Sequence, residues 1–120
     1  MSDLHDVPSA RQLVESVREW LERDVLAATT GRVQFHTRVA INVLAMVERE
    51  LELAPEQIPA HDARLRALGV ESDFELADAI RQARLDDRLA DVVNAVRADV
   101  IAKLTVANPN HLLPEHRDPA

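Results

Sequence analysis

Asp24, His36, Arg38 and Asn42 are polar residues set in or beside apolar helical stripes, and an imidazole near a carboxylate has the makings of an acid/base pair. In "GRVQFHTRVAINVLAMVEREL", Gly31 to Leu51, the apolar arc runs through Met46, Val39, Val43, Val47 and Leu44 at about 100° per residue. His36 lies near its middle, so its ring is expected to be at least partly buried. Arg38 and Asn42, four residues apart, are neighbours at one margin of that arc. Asp24 falls within the arc of Leu13, Val17, Trp20 and Leu21, near a helix C-terminus, where the dipole disfavours a carboxylate. A short turn at Gly31 would bring Asp24 to His36 or Arg38, giving a buried polar pair that fixes the hairpin in register.

Three uses compete for this group. A structural pair is the commonest fate of buried polar side chains, which normally occur with partners and do no chemistry. A margin such as Arg38 and Asn42 can instead orient a binding partner by directional hydrogen bonds, or merely cap neighbouring segments of its own chain. Catalysis is the weakest of the three, because no nucleophile or oxyanion cradle accompanies the imidazole and the carboxylate.

Other chemical signatures are missing. His5, His61, His111 and His116 lack the three- or four-residue spacing of a helical metal pair, and no Glu-x-x-His motif occurs. Two isolated glycines cannot form a phosphate loop, and the absence of cysteine removes disulfides, thiolate zinc sites and a catalytic thiol. No metal or cofactor is expected. Trp20, Phe35 and Phe74 sit in apolar stripes and read as packing residues rather than base-stacking ones.

Helices must position these residues. Ser9 and Gln12 form a capping box ahead of a stripe of Leu13, Val14, Val17, Trp20, Leu21 and Val25, and Glu19 with Arg23 has the spacing of an outward ion pair. The second helix, with Phe35, Val39, Val43, Met46 and Val47 on one side, is expected to end near Leu53. "APEQIP" reads as a break, with Pro59 opening a short helix that stops at Gly69. Ser72 and Glu75 form a second capping box. The last helix, from about Asp86 to Ala107, carries Leu89, Val92, Val93, Val96, Val100, Leu104 and Ala107 and is expected to be central to the core. Three prolines in "NPNHLLPEHRDPA" then end it.

The expected fold is all-α: a compact antiparallel bundle of four to five helices in one domain, 1–110, with an extended or mobile Pro-rich tail, 111–120. Scarce glycine and aromatics at 2% agree with helices over strands. Asp and Glu exceed Lys and Arg by 21 to 14, a net charge of −7 that argues against nucleic acid and anionic membranes as partners. With neither an apolar signal core nor a run of about 18 apolar residues, a cytoplasmic location is expected.

Four stretches, "HDVPSARQLVESVREWLERDVL", "GRVQFHTRVAINVLAMVERELEL", "RLRAL" and "VRADVIAKLTVANPNHL", resemble a small bacterial family whose members accompany aminoglycoside-phosphotransferase-like kinases and acyl-CoA dehydrogenases. Its most specific elements are Phe35, His36, Arg38, Val39, Ala40, Asn42, Val43 and Leu44, and then Lys103, Leu104, Val106, Asn108 and Pro109. The resemblance implies a non-catalytic small subunit that supports a kinase-like protein acting on hydroxyacyl-CoA in acid catabolism, upstream of a dehydrogenase-like enzyme. ATP and magnesium would belong to the kinase. It assigns no catalytic residue to the small subunit, and Asn108 joins Asp24, His36, Arg38 and Asn42 as a partner-binding or buried polar candidate. The alternative is a self-associating helical module, a homodimer with no enzyme partner; a third reading, a small enzyme using His36 and Asp24, requires turnover by the isolated chain.

Overall fold

The computed structural model describes residues 4 and 7–117, and among them every regular element is a helix or a helical turn. The fold is all-α. His5 and the tail beyond residue 117 lie outside the described residues. Four principal helices follow one another: α1 (Ala10–Trp20), α2 (Gly31–Ala67), α3 (Asp73–Arg81) and α4 (Leu89–Ala107). Residues group into two compact units, Met1–Leu53 and Ala54–Ala120.

In the first unit α1 begins as its sequence dictates. Ser9 Oγ accepts from the Gln12 amide at 3.1 Å and Gln12 Oε1 accepts from the Ser9 amide at 2.8 Å, which satisfies two orphan donors. After Trp20 the helix widens through one π-type turn, Leu21–Val25, and closes with Leu26–Ala28. The expected Glu19–Arg23 pair does not form. The π turn inserts an extra residue, which spoils the four-residue alignment, and Arg23 lies beside Asp24 instead. Thr29 is extended and Gly31 starts α2 at φ +61°, a conformation in which a Cβ is disfavoured. Gln34 Nε2 fastens this turn by donating to the carbonyls of Leu26 and Thr29 at 3.2 and 2.9 Å.

The expected helix end near Leu53 is not found: α2 continues through Pro55 and Pro59 to Ala67. Each proline removes a single amide donor, and their four-residue spacing sets both exposed rings on the same side, so neighbouring hydrogen bonds still carry the helix. Gln57, between them, donates to the Ala102 carbonyl of α4 at 3.0 Å. The boundary between the compact units, at Leu53 and Ala54, nonetheless falls beside Pro55.

In the second unit α2 ends at Gly69 as its sequence predicts. The Gly69 amide donates to Arg66 O at 3.0 Å and Val70 to Leu65 O at 3.1 Å, with Gly69 at φ +79°. This is a Schellman closure, and its hydrophobic partners Leu65 and Val70 both enter the core. Ser72 caps α3 by accepting from the Glu75 amide at 3.1 Å, while the Glu75 carboxylate accepts from Glu71 rather than from the cap itself. The core comprises Leu65, Leu68, Val70, Leu76, Ala79, Leu85 and Val92.

The last helix supplies only Val92 to that cluster, against the expectation that its whole stripe would be central. Leu89, Val93, Val96 and Val100 are exposed, because the face turned inward is Val92, Ala95 and Asp99. In the segment expected to be an extended or mobile tail, the described residues alternate extended backbone at Leu112, Leu113 and Arg117 with the short 3-10 turn Pro114–His116, after the turn Pro109–His111, and Leu112 is buried. Arg117 donates to the carbonyls of Leu112 and Asn110 at 3.1 and 3.0 Å.

Candidate functional site

In the first unit, the side of α2 facing inward is Thr37, Ile41, Leu44 and Glu48, with Thr37 buried and its hydroxyl donating to Val33 O at 2.7 Å. Arg18 of α1 grips Glu48 bidentately through Nε and Nη2, the latter at 3.2 Å, and reaches Glu22 at 2.9 Å. The hydrogen bond to Glu48, and then that to Glu22, raises the Arg18 pKa further above its already high range. This ion pair ties α1 to α2.

The residues singled out from sequence do not form the expected buried pair. Asp24 is exposed and sits 3.5 Å from Arg23, not beside His36 or Arg38. His36 is exposed as well, its ring edge-on to Phe35 at 5.4 Å. The reason is rotational: α2 is apolar on two opposite sides, and Thr37, not His36, marks the one that packs inward. Arg38 and Asn42 are exposed, and neither has an ion pair or side-chain hydrogen bond among the described residues. Phe35 at 60%, Val39 at 44%, Val43 at 50% and Met46 at 37% share their side of the helix, so most of the arc assigned to the core faces outward, whereas its Leu44 and Val47 are half-buried. His36 does line a cleft of about 440 Å³ with Arg32, Val33, Thr37 and Ala40 of α2 and Leu21 of the π turn.

Asn108 belongs to the second unit and acts locally. Its amide donates to Leu104 O at 2.8 Å to close α4, and its side chain meets His111 Nδ1 at 3.2 Å.

The densest polar cluster was not singled out from sequence. His61 of α2 has Nδ1 2.9 Å from Asp99 of α4 and Nε2 3.2 Å from Asp73 in the first turn of α3. Arg64, one turn along α2, donates to the same Asp99 oxygen at 2.5 Å. The hydrogen bond to Asp99 dominates in raising the His61 pKa, opposed by partial burial and reinforced by the charges of Asp99 and Asp73. Partial burial pushes Asp99 up, but hydrogen bonds from Arg64 and His61 outweigh it and hold the carboxyl below its ordinary value. The only sequence signal was His61 and Arg64 on one helical face; their carboxylate partners are 12 and 35 or more residues away.

His61, Asp73 and Asp99 could each offer a ligand atom to one cation, since those atoms lie within 4.8 Å of one another. Such an ion would have to displace Arg64 and break the contacts of at least one ring nitrogen. As arranged, the cluster is an ion-pair network joining three helices. A second cleft, of about 370 Å³, lies nearby between Leu68, Arg88 and Asn94. No helix among the described residues is long and apolar enough to cross a membrane.

Residues 27–111 match a family described as a domain of unknown function, DUF6285, and this segment takes in His36, Arg38, Asn42 and Asn108 but not Asp24. No curated protein and no solved structure matches the chain.

Proposed function

From the premise that the chain belongs to the DUF6285 family, we propose that it is a non-catalytic helical subunit that binds and supports a second protein. The observation that carries this is the outward side of α2, where Phe35, Val39, Val43 and Met46 remain exposed beside Arg38 and Asn42, which have no side-chain partner among the described residues. An apolar stripe edged by free directional donors has the composition of an interface, with burial at its centre and orientation from its rim.

The choice of partner rests on the sequence resemblance: an aminoglycoside-phosphotransferase-like kinase acting on hydroxyacyl-CoA, in a pathway that continues with an acyl-CoA dehydrogenase. ATP and magnesium would be held by the kinase, and the small subunit would favour its active form by binding that form preferentially. Co-expression with such a kinase from the same genome is the test. A stable mixed complex with an increased phosphorylation rate is expected; failure to copurify together with an unchanged rate would reject the proposal. The second reading, a homodimer with no enzyme partner, draws on the same exposed stripe and is separated by the mass of the isolated chain in light scattering.

A further inference from the structure

We infer that the docking face is the side of α2 from Arg32 to Met46 that points away from α1, and that its partner presents apolar side chains bordered by carboxylates. The existence of a protein partner rests on the subunit reading above; the location and chemistry of the face rest on three separate observations.

First, the less exposed side of α2 is Thr37, Ile41, Leu44 and Glu48, the last of them paired with Arg18 of α1, while Phe35, Val39, Val43 and Met46 on the opposite side stay exposed. Second, Arg32 and Arg38 lie three residues before and three after Phe35, and so about 60° to either side of it at 100° per residue. Both are exposed, and neither has a carboxylate partner among the described residues. Third, no Asp or Glu occurs from Val25 to Val47, although the whole chain holds 21 in 120 residues, about one in six. A chain of net charge −7 thus contains one apolar helical face whose only charges are positive. At its margin Arg32 and His36 also border the cleft of about 440 Å³, a recess of a size to take an apolar side chain of the partner.

Charge decides between occupants. A two-fold contact between copies sets the same patch against itself, so Arg32 and Arg38 of both copies would converge with no carboxylate in the segment to separate them. A surface of apolar anchors rimmed by Asp or Glu is complementary in both respects, and the cationic rim steers its approach.

Two synthetic amphipathic helical peptides test this against the full-length chain, each with leucines at the same positions and a rim of either glutamate or lysine. Amide shifts on titration should cluster between Leu21 and Met46 with the glutamate peptide, which should bind at least about tenfold more tightly than the lysine one. That preference should weaken with salt, reverse in Arg32→Glu/Arg38→Glu, and both peptides should lose affinity in Val39→Glu/Val43→Glu with helicity retained. Equal binding of the two peptides, shifts centred on residues 54–117, or a dimer of the isolated chain dispersed by Val39→Glu would overturn the assignment. The kinase adds a separate comparison. If it binds the wild type and Val39→Glu/Val43→Glu equally, the face is wrong and the subunit reading stands; if it binds neither while the glutamate peptide maps to α2, the face stands and the choice of partner fails.

Discussion

His61 can satisfy both of its carboxylate neighbours only as the imidazolium, because each ring nitrogen must then donate, to Asp99 at 2.9 Å and to Asp73 at 3.2 Å. Its pKa is raised in the folded chain, chiefly by the hydrogen bond to Asp99. The stability this contributes is therefore fully present below the unfolded imidazole value of about 6.5 and is lost as pH rises through the folded value. Asp99 has the opposite sign: its pKa is lowered, so its contribution holds above the ordinary carboxyl value and is lost as pH falls through the folded one. Urea midpoints should form a plateau on the mildly acidic side of neutrality and decline on both flanks. His61→Gln should flatten the decline seen as pH rises above the unfolded imidazole value of about 6.5, and an unchanged slope would show that another group controls it. The same cluster explains why the polar chemistry of the chain was hard to read from sequence. A histidine facing carboxylates 12 and 38 residues away leaves no local pattern, whereas His36, conspicuous in its apolar arc, has an edge-on contact with Phe35 and no ion pair or hydrogen bond among the described residues.

Helix ends, in contrast, are local chemistry and were legible: Ser9 with Gln12, Ser72 over the α3 amides, and Gly69 all act where their types and spacing put them. The end of α3 repeats the α2 closure with an alanine in the left-handed position. Ala83 has φ +61°, its amide donates to Ile80 O at 3.1 Å, and Arg84 donates to Ala79 O at 3.0 Å. A Cβ costs about 1 kcal/mol in that conformation, so Ala83→Gly should stabilise the fold by about that much in urea unfolding, while Gly69→Ala should lose a similar amount. The tie between α1 and α2 depends on Arg18 and Glu48, whose side chains are only 22% and 12% exposed. Arg18→Ala leaves Glu48 half-desolvated without its partner and should cost about 2 kcal/mol, between a surface and a buried pair. Arg18→Met with Glu48→Leu should recover most of that loss. Which side of α2 turns inward was not legible. Ile41 and Leu44 on one side and Phe35, Val39, Val43 and Met46 on the other are both acceptable to a core, and the long-range pairing of Arg18 with Glu48 marks the former as the inward side.

Across the whole molecule, burial is unevenly shared. The hydrophobic cluster built on Leu65, Leu76, Ala79 and Val92 lies entirely in the unit from Ala54 onward. The unit Met1–Leu53 is held by helix caps, a bidentate ion pair and half-exposed aliphatic side chains, and among its described residues Thr37 alone is buried. Local opening free energies follow buried apolar contact, so native-state amide exchange should be slowest around Leu65–Val92 and faster throughout α1 and the first turns of α2. Leu65→Ala, at a side chain 3% exposed, should cost about 2–5 kcal/mol and speed exchange across the second unit. Val39→Glu, at 44% exposure, should barely alter global stability. A partner seated on α2 would change that distribution, because covering Phe35, Val39, Val43 and Met46 gives the first unit the apolar burial it lacks alone. Exchange in residues 10–47 should then slow by at least about tenfold in the complex while the second unit's protection changes little. Uniform slowing over both units would place the partner elsewhere. Slowing confined to residues 54–117 would show that the exposed stripe of α2 is not where the chain completes its core.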